Sequence, residues 1–336
     1  MCYKEEVQKK NEAVLNKQFD KDNVPAWIRD YFYRIASRAA RVNYWSTIRH
    51  FIHWLMDNGY IKAAKIEDLK PEDFKPIRST VIIRYFSDLL GNISKSTLNT
   101  KKNILGSFWS YMLTEHYVDD NVIRQAKSNE FKKTKTNVDK VLKMPEDSDI
   151  DRMISCIGEI SDTTLRLRNQ CVVRTLLGTG LRESELAGLD LSDVYLKGGE
   201  FRGRHYQEPF ITVIGKGHYD YTDDGKDIVY LTKDATEAFN EWISYRSTLL
   251  KVVYTDAVFL NRNGKRLKEA NIKNIFRVYS KGTISPHMIR HKYAERIITT
   301  TSDITFARDQ LRHQSFNTTV GIYDVGERSR HILQNM

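Results

Sequence analysis

The segment Ser285-Pro286-His287-Met288-Ile289-Arg290-His291, with Leu311-Arg312-His313-Gln314-Ser315 and Ile322-Tyr323-Asp324 behind it, decides how the whole chain is read. Histidine, arginine and tyrosine crowd into one short C-terminal span. These are the side chains needed to hold a phosphate and attack it. His287 and Arg290 are three residues apart, so on the first turn of a helix both face one way.

Working upstream, the residues from Pro145 onward read as one mixed domain. Ile150, Met153, Ile154 and Ile157 mark a short helix, and Leu165 to Leu177 a long apolar one that Gly178-Thr179-Gly180 punctuates. Phe210–Ile214 and Asp227–Leu231 read as strands joined by a glycine-containing, charged connection. Helices are predicted over 233–250 and 267–279, with a short strand at Val258–Leu260 between them. Arg182 follows the glycine turn and opens a short helix, Glu183–Ala187. Lys216 stands between Gly215 and Gly217.

Each of these residues has an ordinary explanation when taken alone. Arg182 fits a helix-start salt bridge to Glu185, and Lys216 a hairpin-tip lysine. His287 fits an N-terminal cap after Pro286, and Tyr323 is one of 18 tyrosines. Taken together, the order Arg, Lys, His-x-x-Arg, His, Tyr describes a whole reaction.

The first half of the chain reads as helices. Trp27, Ile28, Tyr31, Phe32 and Ile35 share a face, as do Tyr44, Ile48, Phe51, Ile52 and Leu55 over 37–57, with Gly59 as terminator. Arg34, Arg38, Arg41 and Arg49 lie opposite; a solvated face and a nucleic-acid contact are both open for Arg38 and Arg41. Pro71 and Pro76 interrupt the chain. Ser79 or Thr80 then caps a helix with Val81, Ile82, Tyr85, Phe86 and Leu89 on its stripe, and Ser96 caps another with Leu98, Leu105, Phe108, Trp109 and Met112. Lys101 and Lys102 are placed on the side opposite that core. Four such helices make a compact bundle. Over 125–143 the periodicity fails and Lys127, Lys132, Lys133, Lys135, Lys140 and Lys143 dominate, which reads as a basic linker.

The 336 residues suit two domains. A hydrophobic fraction of 40% and a charged fraction of 29% are those of a globular protein. A net charge of +10 favours a polyanionic partner, nucleic acid before anionic membrane. No apolar run approaches the roughly 20 residues of a membrane span. Met1-Cys2-Tyr3-Lys4-Glu5-Glu6-Val7 lacks the apolar core of a signal peptide. Cys2, Cys156 and Cys171 have no metal-ligand spacing and read as reduced thiols, so a cytoplasmic, nucleoid-associated protein is expected.

The motifs Thr179-Gly180-Leu181-Arg182-Glu183-Ser184-Glu185-Leu186, Gly215-Lys216-Gly217, Ser285 to His291, Leu311-Arg312-His313, Thr318-Thr319 and Tyr323 resemble those of the tyrosine recombinase, or phage integrase, family, in that family's order. The helical first half and basic linker look like its core-binding domain and interdomain connector. The resemblance implies a mainly α fold: a SAM-like helical core-binding bundle over 1–126, a basic linker over 127–144, and a mixed α/β catalytic domain with a small antiparallel sheet over 145–336, as in DNA breaking-rejoining enzymes.

It also implies a mechanism. Tyr323 would attack the scissile phosphodiester, form a 3′-phosphotyrosine and release a 5′-hydroxyl. Arg182 and Arg290 would clamp the non-bridging oxygens. Lys216 would protonate the leaving oxygen, His287 would act as acid/base toward the tyrosine, and His313 would donate to the phosphate. No metal, ATP or other cofactor is implied, because the phosphotyrosine conserves the bond energy. The implied partners are double-stranded DNA with a specific core site, a homotetramer on synapsed DNA from monomers when free, and an accessory directionality factor; no membrane is involved. The two domains would clamp the duplex, with Arg38, Arg41, Lys101, Lys102, Lys132, Lys133 and Lys135 as candidate contacts. The residues before Ala26 are too few for an additional arm-site DNA-binding domain.

There are departures from the family pattern. Arg312 stands where glycine usually precedes the histidine, the interval from His313 to Tyr323 is long, and the connection after Lys216 is long and acidic, which implies a mobile lysine loop. For the tail after Tyr323, docking on a neighbouring subunit and a frayed end both stand. A type IB topoisomerase-like relaxase, and a DNA-binding regulator with a relic active site, are the competing readings.

Overall fold

The computed structural model describes residues 3–130, 144–215, 225–249, 255–301 and 304–312, and the chain divides into two compact units between Asp139 and Lys140. Both follow from apolar stripes at helical spacing.

In the first unit, α1 (Tyr3–Lys21), α2 (Ala26–Tyr33), α3 (Arg38–Asp57), α4 (Ser79–Leu89), α5 (Lys95–Thr114) and α6 (Val122–Glu130) enclose one core. Trp45, Ile48, Phe51, Ile52 and Leu55 of α3 and Leu105, Phe108, Trp109 and Met112 of α5 are almost wholly buried within it. Edge-to-face aromatic contacts knit the helices, with Phe51 and Tyr85 ring centres 4.8 Å apart. Ser37 caps α3, its Oγ accepting from the Ala40 N–H at 3.3 Å. Gly59, at φ +72°, lets the chain turn so that Tyr60 N–H reaches the Leu55 carbonyl.

The sequence reading is corrected at several places in this unit. α1 has no readable apolar stripe, because its polar sequence buries little besides Leu15 and Phe19. The cap of α5 is Ser94, not Ser96. Arg78 holds the N-cap position of α4, and Ser79 is that helix's first residue. α6 continues to Glu130, past the expected start of the linker. Lys102 is buried rather than exposed, its ammonium 5.0 Å from the centre of the Phe86 ring. Positions 98, 102, 105, 109 and 112 alternate steps of four and three, so the fifth member of the α5 core stripe is this lysine.

The second unit contains α7 (Asp147–Gly158), α8 (Thr163–Thr179), α9 (Glu183–Ala187), α10 (Lys233–Arg246), α11 (Glu269–Tyr279), α12 (Pro286–Thr301) and α13 (Ile304–Leu311). β1 (Val194–Tyr195), β4 (Phe210–Ile214) and β5 (Lys226–Tyr230) form an antiparallel sheet in the order β1-β4-β5, with Phe210 opposite Tyr230 and Ile214 opposite Lys226. β2 (Gly199–Phe201) and β3 (Arg204–Tyr206) make a separate ribbon. β1 to β3 are too short to show a period in sequence. The fold is mainly helical with small antiparallel sheets, as expected.

Helix α8 is the axis of this unit, packing on both α10 and α12. Gly178 allows the close approach: a Cβ there would lie 2.3 Å from Thr232 Oγ1, the cap of α10. The expected strand at Val258–Leu260 is instead a run of isolated bridges. Arginines hold the segment in place of a ladder. Arg246 donates to the carbonyls of Thr255 and Ala257, and Arg168 to that of Leu260.

Candidate active site

Three elements of the second unit meet at Glu185. The left-handed Gly180, at φ +59°, ends α8 and turns the chain so that Arg182 stands at the N-cap of α9. A Cβ at Gly180 would lie 2.4 Å from the ring of Tyr293, so both the turn and the close packing demand glycine. Within α9, Glu185 accepts the Arg182 backbone N–H on Oε2 at 2.8 Å and Arg182 Nη1 on Oε1 at 2.7 Å. The salt bridge read for Arg182 from sequence is therefore present, and its partner is fully buried. Arg182 keeps a quarter of its side chain exposed.

The second element is α12, which starts at Pro286, with Ser285 Oγ accepting from Met288 N–H. Arg290 is buried and its guanidinium donates to the carbonyls of Gly180 and Leu311, with Nη1 4.0 Å from Glu185 Oε2. It thus ties the end of α8 to the end of α13. His287, one turn earlier, is exposed and pairs through Nε2 with His291 Nε2 at 3.0 Å.

Arg312, which follows α13, completes the cluster. Its backbone is left-handed at φ +53°, and its side chain turns back so that Nη2 reaches Glu185 Oε2 at 2.6 Å while Nη1 donates to the Gln310 carbonyl at 2.6 Å. Three guanidiniums thus surround one buried carboxylate. Burial pushes that carboxyl up, but Arg312, Arg182 and Arg290, with the Arg182 N–H, outweigh it and hold it down to about 2. Glu185 is an anion at any physiological pH, and it and the three arginines together carry a formal charge of +2.

Two neighbours are tuned the other way. Burial, reinforced by His287 and Arg290, lowers His291 to about 4, so its imidazole is neutral at pH 7. Burial raises the Tyr293 hydroxyl to about 12 against the pull of Arg312 and Arg290, which makes Tyr293 a wall of the site and a poor nucleophile.

Of the six residues singled out from sequence, the structure brings Arg182 and Arg290 together and places His287 beside the pair through His291. Lys216, His313 and Tyr323 lie outside the described residues, as do Lys132, Lys133 and Lys135. Lys216 directly follows Gly215 at the end of β4, and His313 directly follows Arg312. Glu185, His291 and Arg312 were not assigned roles. The signals were available: Glu185 is three residues after Arg182, at the capping-box position, and His291 is one helical turn after His287. Only the left-handed turn reveals the direction of the Arg312 side chain.

The geometry agrees with comparisons to known proteins. Residues 146–327 match the model of the phage integrase family. The chain is 28% identical over 272 residues to the tyrosine recombinase XerC of Thermodesulfovibrio yellowstonii, covering 77% of this chain and 80% of that protein. It is 25% identical over 288 residues to the XerC of Halalkalibacterium halodurans, covering 83% and 84%. Among solved structures, XerH site-specific recombinase bound to its difH substrate in a pre-cleavage complex superposes with a TM-score of 0.63 at 18% identity, covering 97% of this chain and 84% of that one. The Tn1549 transposon integrase in complex with transposon right-end DNA gives 0.60 at 17% identity, covering 87% and 97%. A guanidinium cluster of this design, on a chain more than half matched by the family model, leads to one assignment: the chain belongs to the phage integrase family, the tyrosine recombinases.

Proposed function

We propose that this chain is a site-specific DNA recombinase that cuts and rejoins duplex DNA through a covalent 3′-phosphotyrosine formed by Tyr323. The observation that carries the reading is the convergence of Arg182 and Arg290 on one buried glutamate, which fixes two guanidiniums in advance of any substrate. Preorganised cations cost no reorganisation when charge develops on the pentacoordinate phosphorus, and they act in a partly dry site. Arg182, the more exposed of the two, faces outward to a non-bridging oxygen, and Arg290 backs it from below.

His287 sits at the exposed edge as acid/base, steered by the neutral His291 behind it. Lys216, on the connection between β4 and β5, supplies the proton to the 5′-oxygen, and His313 donates to the phosphate. With Tyr293 held protonated in the wall, the attacking hydroxyl is assigned to Tyr323. The phosphotyrosine is consumed by the 5′-hydroxyl of a partner strand, so exchange needs two duplexes and is expected to use four protomers, assembled from monomers on DNA. A directionality factor would bias the outcome.

DNA binding draws on phosphate contacts along the first unit and linker. Arg38 pairs with Glu12 at 3.1 Å, a surface bond weak enough for a phosphate to displace, whereas Arg41, 3.9 Å from Glu12, is mostly buried and also donates to the Ile35 carbonyl at 2.6 Å. Lys101 is half-buried near the start of α5, and Lys132, Lys133 and Lys135 belong to the linker. Lys102, being buried, would have to leave its packing to reach DNA.

The test begins by sequencing DNA recovered in covalent adducts with the wild-type protein, then rebuilding that site as a nicked suicide duplex. Wild type should accumulate adduct and Tyr323→Phe none; an adduct that persists in Tyr323→Phe removes the nucleophile assignment. A 5′-bridging phosphorothiolate, whose sulfur leaves without a proton, should restore cleavage to Lys216→Ala. Failure to restore it counts against Lys216 as the general acid. Exchange between two site-bearing duplexes separates recombination from relaxation of a single one.

A further inference from the structure

The site holds a third guanidinium, a buried one with a hydrogen-bond donor left over. Arg312 is about 95% buried at its side chain, and two of its nitrogens are engaged, by Glu185 and by the Gln310 carbonyl. Its Nε–H is buried and has no hydrogen-bond partner. An orphaned donor of this kind costs on the order of 1–3 kcal/mol, and on a charged group more, unless something meets it at another stage of the cycle. A left-handed backbone at a residue with a Cβ is a second cost at the same position. Both fall on the turn that points this side chain back at Glu185 rather than out to solvent.

The charge count points the same way. One carboxylate needs one cation; Arg182 alone, bound to it through both backbone and side chain, satisfies it. Arg290 and Arg312 then bring the formal charge of these four side chains to +2. A phosphodiester carries one negative charge, and the pentacoordinate state reached by nucleophilic attack carries two. A formal charge of +2 on these four side chains matches the transition state better than the ground state, the condition for accelerating the chemical step.

We propose that Arg312 is a further catalytic residue, a third guanidinium that neutralises the scissile phosphate as the pentacoordinate state forms, with Nε–H its available donor. The inference rests on the recombinase reading. Arg312 would act alongside Arg182 and Arg290, and Glu185 would be the shared anchor that keeps the three cations from repelling one another apart. No bond to carbon or phosphorus is made or broken by Arg312; it supplies charge and a hydrogen bond only.

The experiment compares cleavage rates on suicide duplexes that carry either a normal scissile phosphate or a methylphosphonate there, which removes one non-bridging negative charge. Arg312→Gly is the informative variant, because glycine relieves the left-handed turn and favours folding; Arg312→Lys retains the charge on the same turn. Removing one preorganised donor should slow cleavage of the normal phosphate by roughly 10- to 1000-fold in Arg312→Gly. Arg312→Lys should recover part of the loss, and the methylphosphonate should bring Arg312→Gly to within a few fold of wild type. Undiminished cleavage by Arg312→Gly, or an equal deficit on both substrates, overturns the proposal and leaves Arg312 a structural partner of Glu185. Thermal midpoints measured beside the rates reveal a variant that fails to fold, and Arg312→Lys then decides alone: a rate below wild type on the phosphate that the methylphosphonate restores supports the proposal, and any other pattern overturns it. Wild-type protein that forms no adduct on either duplex overturns the recombinase reading itself, and this inference with it.

Discussion

At the scale of the residue, the site is organised by a carboxylate that touches no substrate. Arg182, Arg290 and Arg312 each lie within ion-pair distance of Glu185, and removing its charge takes away the anion that the three guanidiniums share. Glu185→Gln keeps the shape and loses the charge. It should destabilise the second unit by about 3 kcal/mol, the cost of breaking a buried pair from one side. In thermal melts this is a fall of roughly 6–12 °C. The pH dependence follows from the same geometry. The folded-state carboxyl sits near 2, below its ordinary value of 4.5, so its contribution is fully present above about 4.5 and is lost as pH falls toward about 2. His291, lowered to about 4 from 6.5, also resists protonation in the fold, so stability begins to fall below about pH 6.5. Glu185→Gln should therefore make the lower part of the acid-unfolding slope shallower and leave the upper part, as measured by denaturant melts at a series of pH values. An unchanged slope below pH 4.5 would show that the arginines do not hold Glu185 as described.

At the scale of the element, α5 shows how a periodic pattern both gives and conceals information. Leu98, Leu105, Trp109 and Met112 announce a buried stripe, while Lys102 reads as a break in it and as a surface charge. In the fold it completes the stripe, its stem along the core and its ammonium over Phe86. Lys102→Met preserves the stem and deletes the charge. The expected result is stability within about 1 kcal/mol of wild type, since a buried charge offsets much of what it gains, and unchanged DNA affinity; a drop in affinity without a drop in stability would return Lys102 to the DNA surface. What was legible from sequence divides along the same physical line. β4, β5, α9 and the start of α12 were readable because glycine turns, proline and alternation leave local marks. α1, with two buried residues in 19, and the two- and three-residue strands β1 to β3 leave none. Arg182 and Arg290 could be named because their motifs are local, but their convergence on Glu185, and the inward turn of Arg312, depend on contacts across more than a hundred residues of chain.

At the scale of the molecule, the net charge of +10 is spread unevenly over structural and binding roles. Arg168, Arg246 and Arg266 donate to backbone carbonyls, and Arg182, Arg290 and Arg312 converge on Glu185. These six are committed to the fold and the site. The lysines of the linker, Lys132, Lys133 and Lys135 among them, have few acidic neighbours in sequence, with Glu130 and Asp139 flanking them. If they meet phosphates, each releases counterions on binding, and the logarithm of affinity falls with the logarithm of salt by about 0.9 per contact. Replacing the three by glutamine should therefore weaken binding to specific and non-specific duplex by the same factor and shallow the salt slope by roughly 2 to 3. Cleavage within the adduct-forming complex, measured at saturating protein, should be unaffected, because the cluster around Glu185 is intact. An unchanged salt slope would show that the linker does not touch the duplex. A loss confined to the specific site would assign these lysines to sequence recognition, a role that charge alone does not provide.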